Sequence, residues 1–312
     1  MRKCFPLPVI RIFLIGMLIL TGCHLPQGES ETTSTSVTLT TAPPSPTSTI
    51  ETLPPTATIT ATLTSSPSPT PPPPTLTPSL TPTPTWTYNE PGQVTAPILL
   101  YHHISGEVTD SRYRVSIPAF RAQMQALDEQ GYTAITISML VEALINGGEL
   151  PEKPIVITFD DGHQSVYDNA FPIMQEYGFP GVFYIVANRI YDIPDFVNID
   201  QISTLVNAGW EIGSHGYTHL DLTQNHASAE YEITQSKTDL QSALGMQIST
   251  FAYPNGEMDP FTAQLVINAG YRAGMGLGKS ITHTLYNRYY LNRIEIQGDY
   301  SLEKFNAMIS GN

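Results

Sequence analysis

Residues Thr158-Phe159-Asp160-Asp161-Gly162 close the apolar run Ile155-Val156-Ile157, and about fifty residues further on stands Ser214-His215-Gly216-Tyr217-Thr218-His219. Two adjacent carboxylates and two histidines four apart are parts from which a hydrolytic metal site is built. One carboxylate and two imidazoles can hold a zinc-like ion and leave one coordination position for water. The spare carboxylate can take that water's proton. Each motif alone says little, since Asp-Asp-Gly is commonly a turn and paired histidines are commonly surface groups. Their joint occurrence, together with a Tyr253-Pro254-Asn255-Gly256 loop, is what points to chemistry.

Such residues need a frame, and the chain from Ala96 onward supplies a repeating one. Short apolar runs (97–101, 155–159, 181–186, 210–213, 250–253, 271–275, 291–296) alternate with amphipathic stretches (118–131, 139–145, 166–177, 199–206, 229–244, 260–269 and from 302). Ser116 is placed to cap the first helix and Asp200 the one near Ile202. Pro172 predicts a kink or break. The run 155–159 has no polar alternation, the pattern of a strand covered on both faces. Repeated β-then-α units specify a parallel α/β fold, open or closed into a barrel. In such folds chemistry gathers at the carboxyl ends of the strands, which is where Asp160, Asp161, His215 and Tyr253 fall. Asp221, His226 and His283 lack such context and read as surface groups.

The N-terminal third has a different character. Arg2, Lys3 and Arg11 precede the apolar stretch Ile12 to Leu20, which ends at Thr21-Gly22-Cys23. This reads as a secretory signal over 1–22, too short to span a bilayer comfortably. Leu20-Thr21-Gly22-Cys23 resembles a bacterial lipobox, which implies cleavage before Cys23, lipidation of its sulfur and a membrane anchor on the outer face of the cytoplasmic membrane. Residues 23–95 are dominated by Thr, Pro and Ser, too poor in apolar surface to offset the entropy of ordering. They read as a disordered tether; at ~3.1 Å per residue in polyproline-II form, it could extend on the order of 200 Å. Trp86 and Tyr88 mark where the chain begins to dock. The two cysteines, Cys4 and Cys23, both lie in this part, so the 96–312 domain has neither a disulfide nor a thiolate nucleophile. A net charge of −14 argues against nucleic acid as a partner, and no protein partner is expected.

On these residues the chain resembles the polysaccharide deacetylases of the NodB-homology type, carbohydrate esterase family four, over roughly Ala96 to Asn312. Thr158-Phe159-Asp160-Asp161-Gly162 matches the first motif without change, and His215 and His219 are in register with the second, Gly216 replacing the usual hydroxyl residue. The third, usually Arg-x-Pro-Tyr, aligns with Ala252-Tyr253-Pro254-Asn255 and lacks the arginine and the tyrosine. Leu291-Asn292-Arg293 stands where many members have Leu-x-His. The opening Leu99-Leu100-Tyr101-His102-His103 resembles a subgroup that includes exopolysaccharide deacetylases.

The resemblance implies a parallel-sheet deformed β/α barrel and a divalent metal, with zinc first and cobalt or nickel compatible, held by Asp161, His215 and His219. It implies Asp160 as general base and the Asn255 N–H as oxyanion donor. Tyr253, Pro254 and Tyr217 are expected at the substrate, Tyr217 equally well as plain packing. The position of the family's acid is held by Arg293, which cannot lose a proton. His102 or His103 is then open as the acid, each equally open to a structural role, and Arg293 is open to orienting Asp160. The implied reaction is removal of N-acetyl groups from an N-acetylglucosamine-containing glycan of the envelope or the surroundings. Two rivals follow from the eroded motifs: an O-acetyl esterase on the same site, and a surface lipoprotein that binds glycan without turnover.

Overall fold

All six residues of the strand Pro154–Phe159 are buried, as its unbroken apolar sequence requires. It is central in the computed structural model of the protein, which describes residues 84–106 and 112–311. Across the sheet the order is Ala273–Met275, Thr250–Ala252, Glu211–Ser214, Val182–Ile185, Pro154–Phe159, Ile98–Tyr101 and Ile294–Glu295, every neighbouring pair parallel. Thr133–Ala134 pairs beside the start of Pro154–Phe159. The two edges meet where Met275 and Leu291 form a parallel bridge, the Leu291 N–H donating to Gly274 and the Gly276 N–H to Leu291. The sheet thus curls into the deformed β/α barrel expected from the sequence.

Pleating sends alternate side chains into two buried groups. Leu99, Tyr101, Ile155, Ile157, Phe159 and Phe183 pack with the helices, where Phe159 stacks on Trp210 at 5.5 Å. Ile98, Val156, Val182, Tyr184, Ala252 and Met275 face the other way and pack with Leu140, Val141 and Leu144 of the helix Ile137–Asn146. That helix is tied to the amino end of a strand, the Ser138 N–H donating to Glu211 at 2.7 Å. The carboxyl ends are left open for chemistry.

Local signals act much as the sequence implies. Ser116 caps the helix Ile117–Glu129 through the Ala119 N–H at 3.2 Å, with Pro118 in the first turn. Pro172 has no N–H to donate and its ring crowds the preceding turn. The chain responds by widening Val166–Ala170 into a π-helical turn before the α-helix Phe171–Glu176.

Three expectations are corrected. The ordered domain does not begin at Ala96: Trp86–Asn89 pairs antiparallel with Gly148–Pro151, and Gln93–Thr95 with Thr282–Thr284. These short strands find partners distant in sequence, a gain that composition cannot register. Asn198, not Asp200, caps the helix Ile199–Asn207, in a reciprocal capping box with Gln201. The helix starts at Ile199, as the amphipathic stretch 199–206 implies, which puts Asp200 in its first turn, where a carboxylate complements the helix dipole. His283 is buried rather than at the surface, its Nε2 donating to the Ala96 carbonyl at 3.0 Å. The signal over 1–22, Cys23 and the tether up to residue 83 lie outside the described residues.

Candidate active site

Asp160 continues the strand before it, its N–H donating to the Tyr101 carbonyl at 3.0 Å. Strict alternation would send Asp161 to the opposite face. Instead Asp161 adopts φ 74°, followed by Gly162 at 85°, and this left-handed step turns both carboxylates toward one cavity. His219 (φ 70°) and Asn255 (φ 60°) are held in the same region, so three of the five described non-glycine residues with positive φ meet here. Asp, Asn and His tolerate this conformation better than other side chains, yet it costs about 1–3 kcal/mol each and persists only where the surroundings enforce it.

The cavity, about 470 Å³ in volume, is lined by Asp160, Asp161, His215, His219, His102, His103, Asn255 and Arg293, with Arg112, Tyr113, Glu257 and Glu295 among the other lining residues. Asp161 Oδ1 lies 3.3 Å from His219 Nε2 and 3.7 Å from His215 Nε2. Among the described residues, Asp161, His215 and His219 are the set of three whose ligand atoms all lie within 4.8 Å of one another. Ligand atoms about 2.0–2.1 Å from a tetrahedral zinc stand roughly 3.3 Å apart, so these spacings suit one ion. His215 Nδ1 donates to the Ala252 carbonyl at 2.8 Å, which leaves the Nε2 lone pair for a metal. The donor set fits a divalent cation.

Asp160 is held differently. Arg293, only 1% exposed, grips it end-on, Nη1 to Oδ1 at 2.6 Å and Nη2 to Oδ2 at 2.7 Å. Arg293 Nε also donates to the Gly276 carbonyl at 3.2 Å, and the guanidinium lies over the Tyr184 ring. Burial alone would raise the Asp160 carboxyl; the guanidinium, with His215 beside it, outweighs that and holds it below its ordinary value. Asp161 is likewise opposed by burial, and His163, His215 and their neighbours bring it far below the carboxylate range. The geometry is that of a residue orienting Asp160, the role left open to Arg293.

Several supporting groups escaped the sequence reading. Glu232, buried on the helix His226–Leu244, accepts the N–H groups of Tyr217 (2.9 Å) and Thr218 (2.8 Å) on one oxygen and the Thr218 hydroxyl (2.7 Å) on the other. This ties down the loop between the two histidines. Gly216 sits in that loop at φ 79°, a conformation a hydroxyl-bearing residue would adopt only with strain. His163, next after the Asp-Asp-Gly motif, lies 3.3 Å from Asp161 Oδ2. Only its adjacency to the motif could have signalled it.

The expected substrate contacts divide. Asn255 is exposed and lines the cavity. Tyr253 does not: it is fully buried against Phe251, with its hydroxyl unpartnered, because the pleat carries it to the helix-covered side. Pro254 is buried behind the loop, and Tyr217 packs edge-on against Tyr231 at 5.4 Å, away from the cavity lining. His102 and His103 both reach the cavity. His103 is stacked on His163 at 3.6 Å and is pushed down to about 4, first by burial and then by His163. His102 packs edge-on against Tyr113 at 4.8 Å, its Nδ1 buried without a partner, and burial lowers it against the pull of both carboxylates.

Comparison with known proteins finds similar sequences and folds over this part of the chain. Residues 147–274 match the polysaccharide deacetylase family model, a span that includes Asp160, Asp161, His215, His219 and Asn255 but not His102, His103 or Arg293. YxkH of Bacillus subtilis (strain 168), provisionally named a polysaccharide deacetylase, is 27% identical over 214 residues, 68% of this chain and 75% of that protein. The poly-beta-1,6-N-acetyl-D-glucosamine N-deacetylase of Staphylococcus aureus (strain MRSA252) is 26% identical over 202 residues, 60% of this chain and 69% of that protein. Among solved structures, the Streptococcus pyogenes deacetylase PplD in complex with acetate superposes with a TM-score of 0.63 at 23% identity, covering 69% of this chain and 98% of that one. The last likeness concerns the fold.

Proposed function

We propose that this chain, which carries a polysaccharide deacetylase domain, is a metal-dependent enzyme that removes N-acetyl groups from a β-linked N-acetylglucosamine glycan outside the cell. One observation carries the reading: three metal-competent donors and a separately clamped carboxylate share one cavity. A protein that only binds glycan has no use for an ionised base beside a metal site, which weighs against the binding-protein alternative. The name of the Staphylococcus relative supports the choice of glycan.

Asp161, His215 and His219 would hold the cation, zinc first by its donor set and cobalt or nickel as substitutes. When bound, such an ion supplies an acidified water and a Lewis acid toward the acetyl carbonyl. Asp160, ionised and fixed by Arg293, accepts the proton of the attacking water. The left-handed turn at Asn255 presents that loop to the cavity, where its N–H can serve the developing oxyanion. Collapse of the tetrahedral intermediate breaks the C–N bond, and the leaving amine takes a proton as acetate departs. We assign that proton to His102, since His103 is engaged by its stack on His163.

Residues 1–22 act in this reading as a lipoprotein signal and Cys23 as the lipid attachment point, which would hold the enzyme at the outer face of the cytoplasmic membrane. The decisive experiment is acetate release by the full-length chain from β-1,6- and β-1,4-linked N-acetylglucosamine oligomers, with Zn²⁺, with Co²⁺ and with chelator. Metal-dependent acetate that vanishes in Asp160→Asn is the expected result. His102→Ala should slow N-acetyl turnover by about 10²–10⁴-fold and an O-acetyl ester much less; equal rates for His102→Ala and wild type refute the assignment. Acetate from O-acetyl xylan but from neither oligomer would replace this reading with the esterase.

A further inference from the structure

His163 is used by none of the steps above, yet it contacts the centre of the site. Its Nε2 lies 3.3 Å from Asp161 Oδ2, while Asp161 Oδ1 is the oxygen that faces His215 and His219. The two oxygens of this carboxylate therefore have separate neighbours: one the metal-competent imidazoles, the other a ring nitrogen able to donate. His163 is itself confined. His103 stacks on one side at 3.6 Å and 26°, and Phe196 on the other at 5.0 Å and 25°, with the Arg189 guanidinium over Phe196 at 4.6 Å. The backbone repeats the connection, since His163 and Phe196 form an antiparallel bridge flanked by Val197 N–H to Gly162 O at 2.9 Å and Gln164 N–H to Asp195 O at 2.8 Å. The side chain is only 15% exposed, so little water competes for its nitrogen.

We infer that His163 is the positioning residue of the metal site: it holds Asp161 Oδ2 and leaves Oδ1 alone for the cation, a one-oxygen ligand set by a clamped imidazole. This rests on the proposed metal-dependent reading. The physical need is clear from the backbone. Asp161 stands in a left-handed conformation on a turn, and its carboxylate is free to rotate about its last torsion unless something fixes it. Partners of this kind beyond the ligands typically change metal affinity by 10–100-fold. The rings of His103 and Phe196 keep the imidazole beside Asp161, and Phe196 is itself joined to His163 through the backbone.

The donor and the stack can be tested apart. Gln places an amide N–H near the imidazole Nε2 without the ring; Phe keeps the ring without the donor. Metal affinity is measured by calorimetric titration of chelator-treated full-length protein with Zn²⁺, alongside the visible absorption of the Co²⁺ form, and thermal melting of the metal-free protein checks folding. His163→Gln should bind within about three-fold of wild type with an unchanged Co²⁺ spectrum. His163→Phe should melt normally yet bind about 10–100-fold more weakly, with an altered Co²⁺ spectrum. Normal affinity in His163→Phe, or weakened affinity in His163→Gln, overturns the inference. Wild type that binds neither ion, or binds as well with His215→Ala, would instead overturn the metal site itself.

Discussion

Replacing Arg293 by Met tests the electrostatics of the site most directly. The wild-type pair is almost fully buried and joined by two charge-assisted hydrogen bonds of 2.6 and 2.7 Å. Met fills a similar volume but leaves the Asp160 carboxylate buried, with His215 Nε2 at 3.6 Å as a remaining polar neighbour. Removing one partner of such a pair costs about 3–5 kcal/mol, mainly the desolvation of the charge left behind. The pH dependence should also change sign. In wild type the Asp160 carboxyl lies below its unfolded value, so its contribution is present above that value and lost as pH falls through the folded one. Without the guanidinium, burial prevails and raises the carboxyl above the unfolded value near 3.9. The folded variant then binds the extra proton, and its stability falls as pH rises from that point, by at most about 1.4 kcal/mol per pH unit. Urea unfolding of chelator-treated protein at pH 5 and pH 8 measures both effects. Asp160→Asn combined with Arg293→Met should be more stable than the sum of the single changes predicts, by about 2 kcal/mol or more. A loss under 1 kcal/mol in Arg293→Met with no new pH slope, or strict additivity, would show that the pair does not hold the base.

Further expectations concern the framework. Tyr253→Phe should leave KM unchanged and alter stability by less than about 1 kcal/mol, since the hydroxyl it removes is buried without a partner; a raised KM would return Tyr253 to the substrate. Gly216→Ala should destabilise the fold by about 1–2 kcal/mol in denaturant titration, because φ 79° disfavours any Cβ, and an unchanged midpoint would contradict this. Glu232→Ala removes both accepting oxygens and leaves the Tyr217 and Thr218 N–H groups without their partner, at a cost of about 1–3 kcal/mol. Zn²⁺ affinity in that variant should fall as the loop carrying His219 loosens, and calorimetry showing wild-type affinity would separate the loop from the site.

What could be read from the amino-acid order alone was whatever depends on near neighbours. The strand Pro154–Phe159, the cap at Ser116 and the disturbance at Pro172 are local in origin. The β-then-α alternation that implies a parallel barrel was also legible, and so was the Asp160-Asp161 and His215/His219 pairing, because motif spacing survives in sequence. The docking of 86–95 was legible only at its start, in Trp86 and Tyr88, and its strand pairing was not, since each short strand is stabilised by a partner far along the chain. Nor was the burial of Tyr253 and His283, which depends on the side of the pleat and on what packs there. The tertiary structure decided the division of labour around the carboxylates. Arg293 is 133 positions from Asp160 yet clamps it, Glu232 holds the histidine loop from another helix, and the left-handed turn at Asp161 brings its side chain beside both histidines. Sequence carries which chemical groups are available, whereas charge pairing and backbone strain depend on distances of a few ångströms that exist only once the barrel has closed.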